Sequence, residues 1–430
     1  MEQVETLIVG GGISGLATAA ALGPNANVRV LEADSEIGGY CKTVKQNGFV
    51  WDYSGHFFHF KHPEIEAWLR ARMAKQKVLT VARKSFIHID GRQIDFPFQK
   101  NIHQLPQADF IDCLYGLWAA TKEGAKHDES SFKKMLFARY GAGISQRFLI
   151  PYNEKLYATD LDTLDRDAMG RFFPHARLDD VIRNMKEPDN AGYNASFTYP
   201  EGGAIEYVKA LASATDPSKV SLSEPVTRID LAQRVAHTPK RTFKFERLVS
   251  SAPFNVLLKL CALPHDDAAF SWNQVLVFNL GFDRKGPTEP HWVYFPSKKT
   301  PFYRVGFYDN IFGSDRMSLY VELGYGKDAK IDVDDARAAV LEGLKAEGLV
   351  KDHELIAEHH VVMNPAYVHI TQASMKAVAE AKASLAKNGV HSIGRYGGWT
   401  YCSIEDNMIE ARELVKSWTG RDTPLHKSLS

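Results

Sequence analysis

The sequence predicts an α/β protein: a discontinuous nucleotide-binding domain, a helical insertion and an antiparallel β-sheet domain. Three observations carry this. The chain opens on an apolar run, a glycine turn and an alanine-rich stretch, "ETLIVGGGISGLATAAALG" at residues 5–23. A second glycine turn, "IGRYGGWTYCSIEDNMIEA" at residues 393–411, follows nearly 400 residues later. Between them lie helix-period blocks, then a stretch rich in Val, Phe, Tyr and Leu between turns. At 430 residues the chain is long for one compact domain, so two or three subdomains with ample core are expected.

The opening run supplies strand, turn and helix. Gly10 permits a tight turn, Gly12 lets a pyrophosphate touch the backbone, and Gly15 lets helix and strand pack closely. "NVRVLEA" follows as a second strand ending in Glu32, 20 residues after Gly12 and placed to accept a bond from a ribose hydroxyl. A plain glycine turn is the alternative, but strand, helix and acid agree on dinucleotide binding. "ADSEIGGYCKT" adds the close-approach pair Gly38 and Gly39, and "GFVWDYSGHFFHF" gives a strand and Gly55 directly before His56. A long ligand touched by several glycine turns suits FAD better than NAD, which makes this a Rossmann-type FAD-binding domain. The spacing of His56, His59 and His62 is that of some metal sites. Gly55 and Pro63 flank the segment and Phe57 and Phe58 interrupt it, so it reads as a turn without a metal. His56 is the histidine placed at the flavin.

Next, "KSFIHIDGRQIDFPF" alternates about Asp90-Gly91, a hairpin signal. Apolar positions three and four apart mark residues 106–188 as helical, and residues 272–325 read as antiparallel sheet. "SFTYPEGGAIEYVKALAS" and "RLVSSAPFN" read as a return to the nucleotide domain. The FAD-binding domain is therefore expected at 1–75, 190–260 and 385–430. A helical substrate domain is expected at 106–189 and the sheet domain at 76–105 and 261–384, with the active site where the three meet.

Composition narrows the function. With 44% hydrophobic and 24% charged residues the chain is globular, and a formal charge of zero gives no sign of nucleic acid as a partner. Cys41, Cys113, Cys261 and Cys402 lie far apart with no CxxC pair, which favours a reducing cytoplasm over a disulfide or zinc framework. The glycines in the opening apolar run argue against a signal peptide or a membrane span.

Five short motifs occur in order: "DFPFQKN" (95–101), "RFLIPYNEKLYA" (147–158), "AMGRF" (168–172), "FYRVGFYDN" (302–310) and "GRYGGWTY" (394–401). Together they resemble the UDP-galactopyranose mutases, especially the eukaryotic-type branch, within the flavin amine-oxidase and mutase superfamily. The resemblance implies that Arg171 and Arg304 grip a substrate diphosphate and that the hydroxyls of Tyr367 and Tyr401 reach the same phosphates. For each arginine singly a surface ion pair is the plain alternative, and for each tyrosine core packing. Phe148, Tyr152 and Asn153 are implied in the uridine pocket and Gln99 in a further base contact. Phe96 stands where the family commonly has tyrosine, and Tyr157 where tryptophan is usual. Arg395 matches the arginine of the C-terminal turn. Glu405, Asp406 and Asn407 open the last helix, where the family tends to have amides. Asp406 and Asn407 face the flavin, or the acidic residues merely cap the helix.

The implied activity interconverts a nucleotide-linked hexopyranose, UDP-galactopyranose in the first place, with its furanose form for cell-surface polysaccharide. In the family reduced FAD is the active form, attacking the anomeric carbon through N5 to give a flavin–sugar adduct. The implied partners are a UDP-hexose and a reductant such as NAD(P)H. The other reading on the same scaffold is an FAD-dependent oxidase or dehydrogenase of amines or porphyrinogen-like substrates, with an apolar cage and no need for two converging arginines.

Overall fold

A computed structural model describes residues 1–123, 128–189, 195–420, 423 and 425. The expected boundary at residue 190 and most of the tail from 421 lie outside the described residues.

Glu2–Val9 sits at the centre of the first sheet, parallel to Val28–Leu31 on one side and to Thr242–Ser250 on the other. Val220–Ser221 adds beyond Val28–Leu31, and Val390–Ser392 pairs with the end of Thr242–Ser250, both in parallel. Segments hundreds of residues apart thus share one sheet. Leu7, Ile8, Val30, Leu248 and Val249 are fully buried, as expected of parallel strands covered on both faces. The chain leaves Glu2–Val9 toward one neighbour while its other neighbour arrives much later. That reversal opens a crevice beyond Val9, where sheets of this kind bind ligands.

The second sheet runs Leu355–Met363, Asn273–Phe282, Ser318–Gly326, Arg304–Phe307, Trp292–Tyr294, Ser85–Ile89 and Arg92–Asp95. It is antiparallel except where Trp292–Tyr294 lies parallel to Ser85–Ile89. Asp90 and Gly91 both take left-handed backbone, at φ 48° and 73°, which closes the two-residue hairpin read from the sequence. Every residue of Asn273–Phe282 is buried. Leu276, Phe278 and Leu280 pack toward Val340 and Leu344 of the helix Val333–Ala346, while Val275 and Val277 join the main core. Val78–Ala82, expected with this sheet, instead pairs with Ser196–Pro200 in a separate two-stranded sheet.

The segment between carries the helices Gln107–Glu123, Phe132–Ile144, Ile150–Tyr157 and Leu178–Lys186. The first of the four leans on the second, and the third lies against Ser318–Gly326. Phe132, Phe148, Tyr152 and Tyr157 join the same core as Trp51, Trp68 and Tyr199, so the three regions close around a shared space.

Candidate functional site

A cavity of about 960 Å³ runs from Gly10 at the crevice to Phe148 and Tyr152 on the helical segment. Its size is at the upper end for ligand sites, room for more than one small molecule.

The crevice half is a cradle of backbone. Gly10 sits at φ 109°, open to glycine alone without strain, and a Cβ there would lie 2.3 Å from Ser251 Oγ. Gly12 precedes the helix Ile13–Leu22 and no side chain caps that helix, so its first N–H groups are left for an anion. Gly15 does not line the cavity; a Cβ on it would lie 1.9 Å from Gly10 O, the close packing its position in the motif requires. Glu32 accepts from the N–H of Gly11 at 2.6 Å and of Asp34 at 2.9 Å, fixing its carboxylate on the cavity wall. Gly38, Gly39 and Gly55 line the same half.

The C-terminal turn meets this cradle. A Cβ on Gly394 would lie 2.3 Å from Ser14 Oγ, and Ser14 Oγ donates to Asn407 Oδ1 at 3.0 Å. Asn407 Oδ1 also accepts from the Arg395 N–H at 2.9 Å, tying the first helix, the turn and the last helix together. Glu405 is buried and takes the N–H groups of Lys61 and His62, so it anchors the loop beyond His56 and not a ligand. Asp406 forms a capping box with Ser403 and does not line the cavity. The helix-capping alternative therefore describes Asp406, while Asn407 does face the cavity.

Between the halves His56 Nδ1 and Arg395 Nε, and at the aromatic end Asn153 Oδ1, are buried with no protein partner among the described residues. Burial lowers the His56 pKa to about 4, with Arg395 and Arg304 adding to the shift against Glu322, so its ring is neutral near pH 7. The Arg395 guanidinium lies 5.0 Å from the Tyr367 ring and 4.6 Å from the Tyr401 ring. Those rings stack at 6.0 Å and 15°. Glycine backbone, uncapped N–H groups and unpartnered polar atoms along one continuous wall fit a flavin dinucleotide.

The other half is cationic and aromatic. Arg304 pairs with Glu322 directly across the strands, Nε to Oε2 at 2.5 Å and Nη2 to Oε1 at 2.8 Å. Ser54 Oγ donates to the same carboxylate. Burial opposes the charge of Arg304, but Glu322 outweighs it and holds the guanidinium well above its usual pKa. Arg171, in the turn Gly170–Phe172, donates from Nη2 to Asp406 Oδ1 at 2.5 Å. That pair is partly exposed, at 42% and 32% of the side chains, and so contributes little to stability. At the far end Phe148 stacks on Tyr152 at 5.2 Å and 19°, Tyr294 meets Tyr152 edge-on, and Phe96 lies 5.3 Å from Tyr294.

Gln99 and Tyr157 do not line the cavity. Gln99 is fully buried with its amide nitrogen turned to the Pro174 carbonyl, which takes it off the cavity wall. Tyr157 is buried behind Tyr367, edge-on at 5.9 Å. Arg83, Lys100, Tyr294 and Glu322 line the cavity and had not been singled out from the sequence. Only the register of Arg304 against Glu322 could have revealed that pair, and register is not written locally. Among the described residues no group of His, Cys, Asp and Glu is arranged to hold a metal ion, and no helix is long and apolar enough to cross a membrane.

Known proteins agree with this architecture. A structure of reduced UDP-galactopyranose mutase superposes with a TM-score of 0.88 at 22% identity, over 99% of this chain and 96% of that one. A putrescine oxidase bound to putrescine gives 0.67 at 16%, over 97% and 99%. Protoporphyrinogen oxidase 2 of Arabidopsis thaliana is 34% identical over 93 residues, 21% of this chain and 18% of that protein. Protoporphyrinogen oxidase 1 of the same plant is 27% identical over 177 residues, 38% and 32%. The chain thus matches less than a third of the length of either curated relative. Residues 13–376 match the flavin containing amine oxidoreductases, so the chain belongs to that family and its cofactor is a flavin.

Proposed function

We propose that the protein is a nucleotide-sugar mutase that interconverts UDP-galactopyranose and UDP-galactofuranose on reduced FAD. The observation that carries this is the charge of the cavity beyond the flavin cradle. Arg83, Lys100, Arg171, Arg304 and Arg395 line it, with Glu322 as the acidic side chain on that wall and Asp406 and Asp189 behind it as partners of Arg171 and Lys100. A protonated amine is repelled by such a lining, whereas a diphosphate is held by it. The aromatic end supports a base: Asn153 gives Nδ2 to Leu149 O at 2.6 Å and keeps Oδ1 for an outside donor, such as an imide N–H.

When bound, a reduced flavin supplies a nucleophile able to displace a diphosphate from an anomeric carbon. The protein's part is positioning. Arg304, steadied by Glu322 and Ser54, meets the diphosphate from the sheet, and Arg171 meets it from the helical segment. Held from both sides, the leaving group stays beside the sugar and is available for return. The His56 ring, neutral near pH 7, offers Nδ1 to the flavin or the sugar without adding charge. The Tyr367–Tyr401 stack steadies Arg395 and covers the junction against water.

A melting experiment on the reduced protein tests this reading. UDP at about 100 times its Kd should stabilise by about 2.7 kcal/mol, and putrescine at equal concentration should not. Stabilisation by putrescine and none by UDP would replace the mutase with an amine oxidase.

A further inference from the structure

Lys155 lies on the helix Ile150–Tyr157, two residues after Asn153, with its ammonium turned away from the cavity. It points into the loop that joins Trp292–Tyr294 to Arg304–Phe307. There Nζ meets the carbonyl oxygens of Ser297 at 2.8 Å, Phe295 at 2.9 Å, Thr300 at 3.0 Å and Phe302 at 2.5 Å. Thr300 Oγ1 stands at 3.4 Å. An ammonium has three protons, so these five oxygens outnumber its donors and surround it as they would a bare cation. Burial pulls the amine's pKa down, to about 7, with Glu347 opposing; the ring of oxygens also pulls the other way by favouring the charged form.

The position of this cage matters more than its strength. Both ends of the caged loop carry cavity residues, Tyr294 just before Phe295 and Arg304 just after Tyr303. The helix beside it carries Tyr152 and Asn153. Among the described residues, none of the loop's carbonyls at Ser297, Thr300 and Phe302 has a backbone N–H partner outside the regular strands. The helix meets this loop elsewhere too, through Glu154 on Lys298 at 3.0 Å and the Tyr152 ring edge-on to Tyr294 and Tyr303, but it is Lys155 that gathers the loop's carbonyls at one point.

We infer that Lys155 is a positioning residue, a tethered monovalent cation that sets the spacing between Asn153 and Arg304 and so the length of nucleotide the cavity accepts. This rests on the nucleotide-sugar reading above. Neither terminus of the spacing touches the flavin cradle, so the residue acts on nucleotide affinity and not on flavin retention.

The test is UDP calorimetry on the flavin-loaded protein in tetramethylammonium chloride and in potassium chloride. Lys155→Ala should keep its flavin and weaken UDP about tenfold or more, 1.4 kcal/mol, in tetramethylammonium, which is too large for the cage. Potassium or methylammonium at about 0.1 M should enter the vacated cage and restore affinity to within about threefold. Lys155→Met, which fills the space without charge, should bind UDP weakly in both salts and serves if the alanine variant does not fold. UDP affinity equal to the parent in Lys155→Met overturns the inference, as does a loss in Lys155→Ala that no small cation repairs. Failure of the parent protein to bind UDP overturns the mutase reading and this inference with it.

Discussion

Arg304 and Glu322 make the proposed diphosphate clamp testable apart from its effect on folding. Glu322 is 1% exposed and its carboxylate is held by Arg304 and Ser54. Arg304→Met strands that carboxylate, and breaking a buried pair from one side costs about 3–5 kcal/mol. The lower end applies, because the pair faces a cavity and Ser54 still donates. The same change removes a charge-assisted contact to phosphate of about 1.5–3 kcal/mol, about 10- to 150-fold in Kd. Glu322→Gln in the same chain removes the stranded charge while its side-chain carbonyl still accepts from Ser54. The double variant should therefore recover most of the melting temperature lost by Arg304→Met, but none of the UDP affinity. Melting is followed by release of flavin fluorescence and affinity by calorimetry. A double variant that binds UDP like the parent removes Arg304 from the clamp. A double variant no more stable than the single one refutes the claim that Glu322 is stranded.

Two further outcomes follow from the geometry. A Cβ on Gly12 would have no neighbour nearer than Gly39 Cα at 3.8 Å, so Gly12→Val should fold, yet crowd the pyrophosphate and purify colourless. A fully yellow variant contradicts the cradle. Burial lowers the pKa of His56, His59 and His291 to about 4 each, against 6.5 in an open chain. Between pH 6.5 and 4 the unfolded chain binds protons that the folded chain refuses, so this contribution is present above pH 6.5 and lost as pH falls toward 4. The difference between melts at pH 7.5 and 5 should shrink when all three become glutamine; an unchanged pH slope contradicts the assignment.

The parts of the site that were legible in the sequence are local. Gly10, Gly12 and Gly15 define a turn by their own spacing, and Glu32 follows at a distance fixed by one helix and one strand. Asp90-Gly91 announced its hairpin for the same reason. Arg171, Arg304 and Tyr401 were reached through short motifs and Tyr367 through the same resemblance, and the structure brings all four to one cavity. What escaped depends on pairing between remote segments. Glu322 matters because it stands opposite Arg304 in the sheet, and Arg83 and Lys100 because the residues on either side of the small hairpin reach the cavity wall. Gln99 illustrates the reverse: its motif points to a base contact, while packing turns its amide to Pro174. Asp406 has a local role as the helix cap and a remote one as the partner of Arg171, 235 residues away, and neither needs a flavin.

On the mutase reading the flavin works reduced and the substrate leaves with its oxidation state unchanged. The most direct measurement incubates UDP-galactopyranose with the protein under argon after dithionite, and in parallel in air without reductant, following the nucleotide-sugars by chromatography and peroxide by a coupled assay. UDP-galactofuranose is expected from the reduced protein alone, with the flavin still reduced at the end and no peroxide. Isomerisation at the same rate by the oxidised protein, or peroxide formed in proportion to product, would contradict that reading.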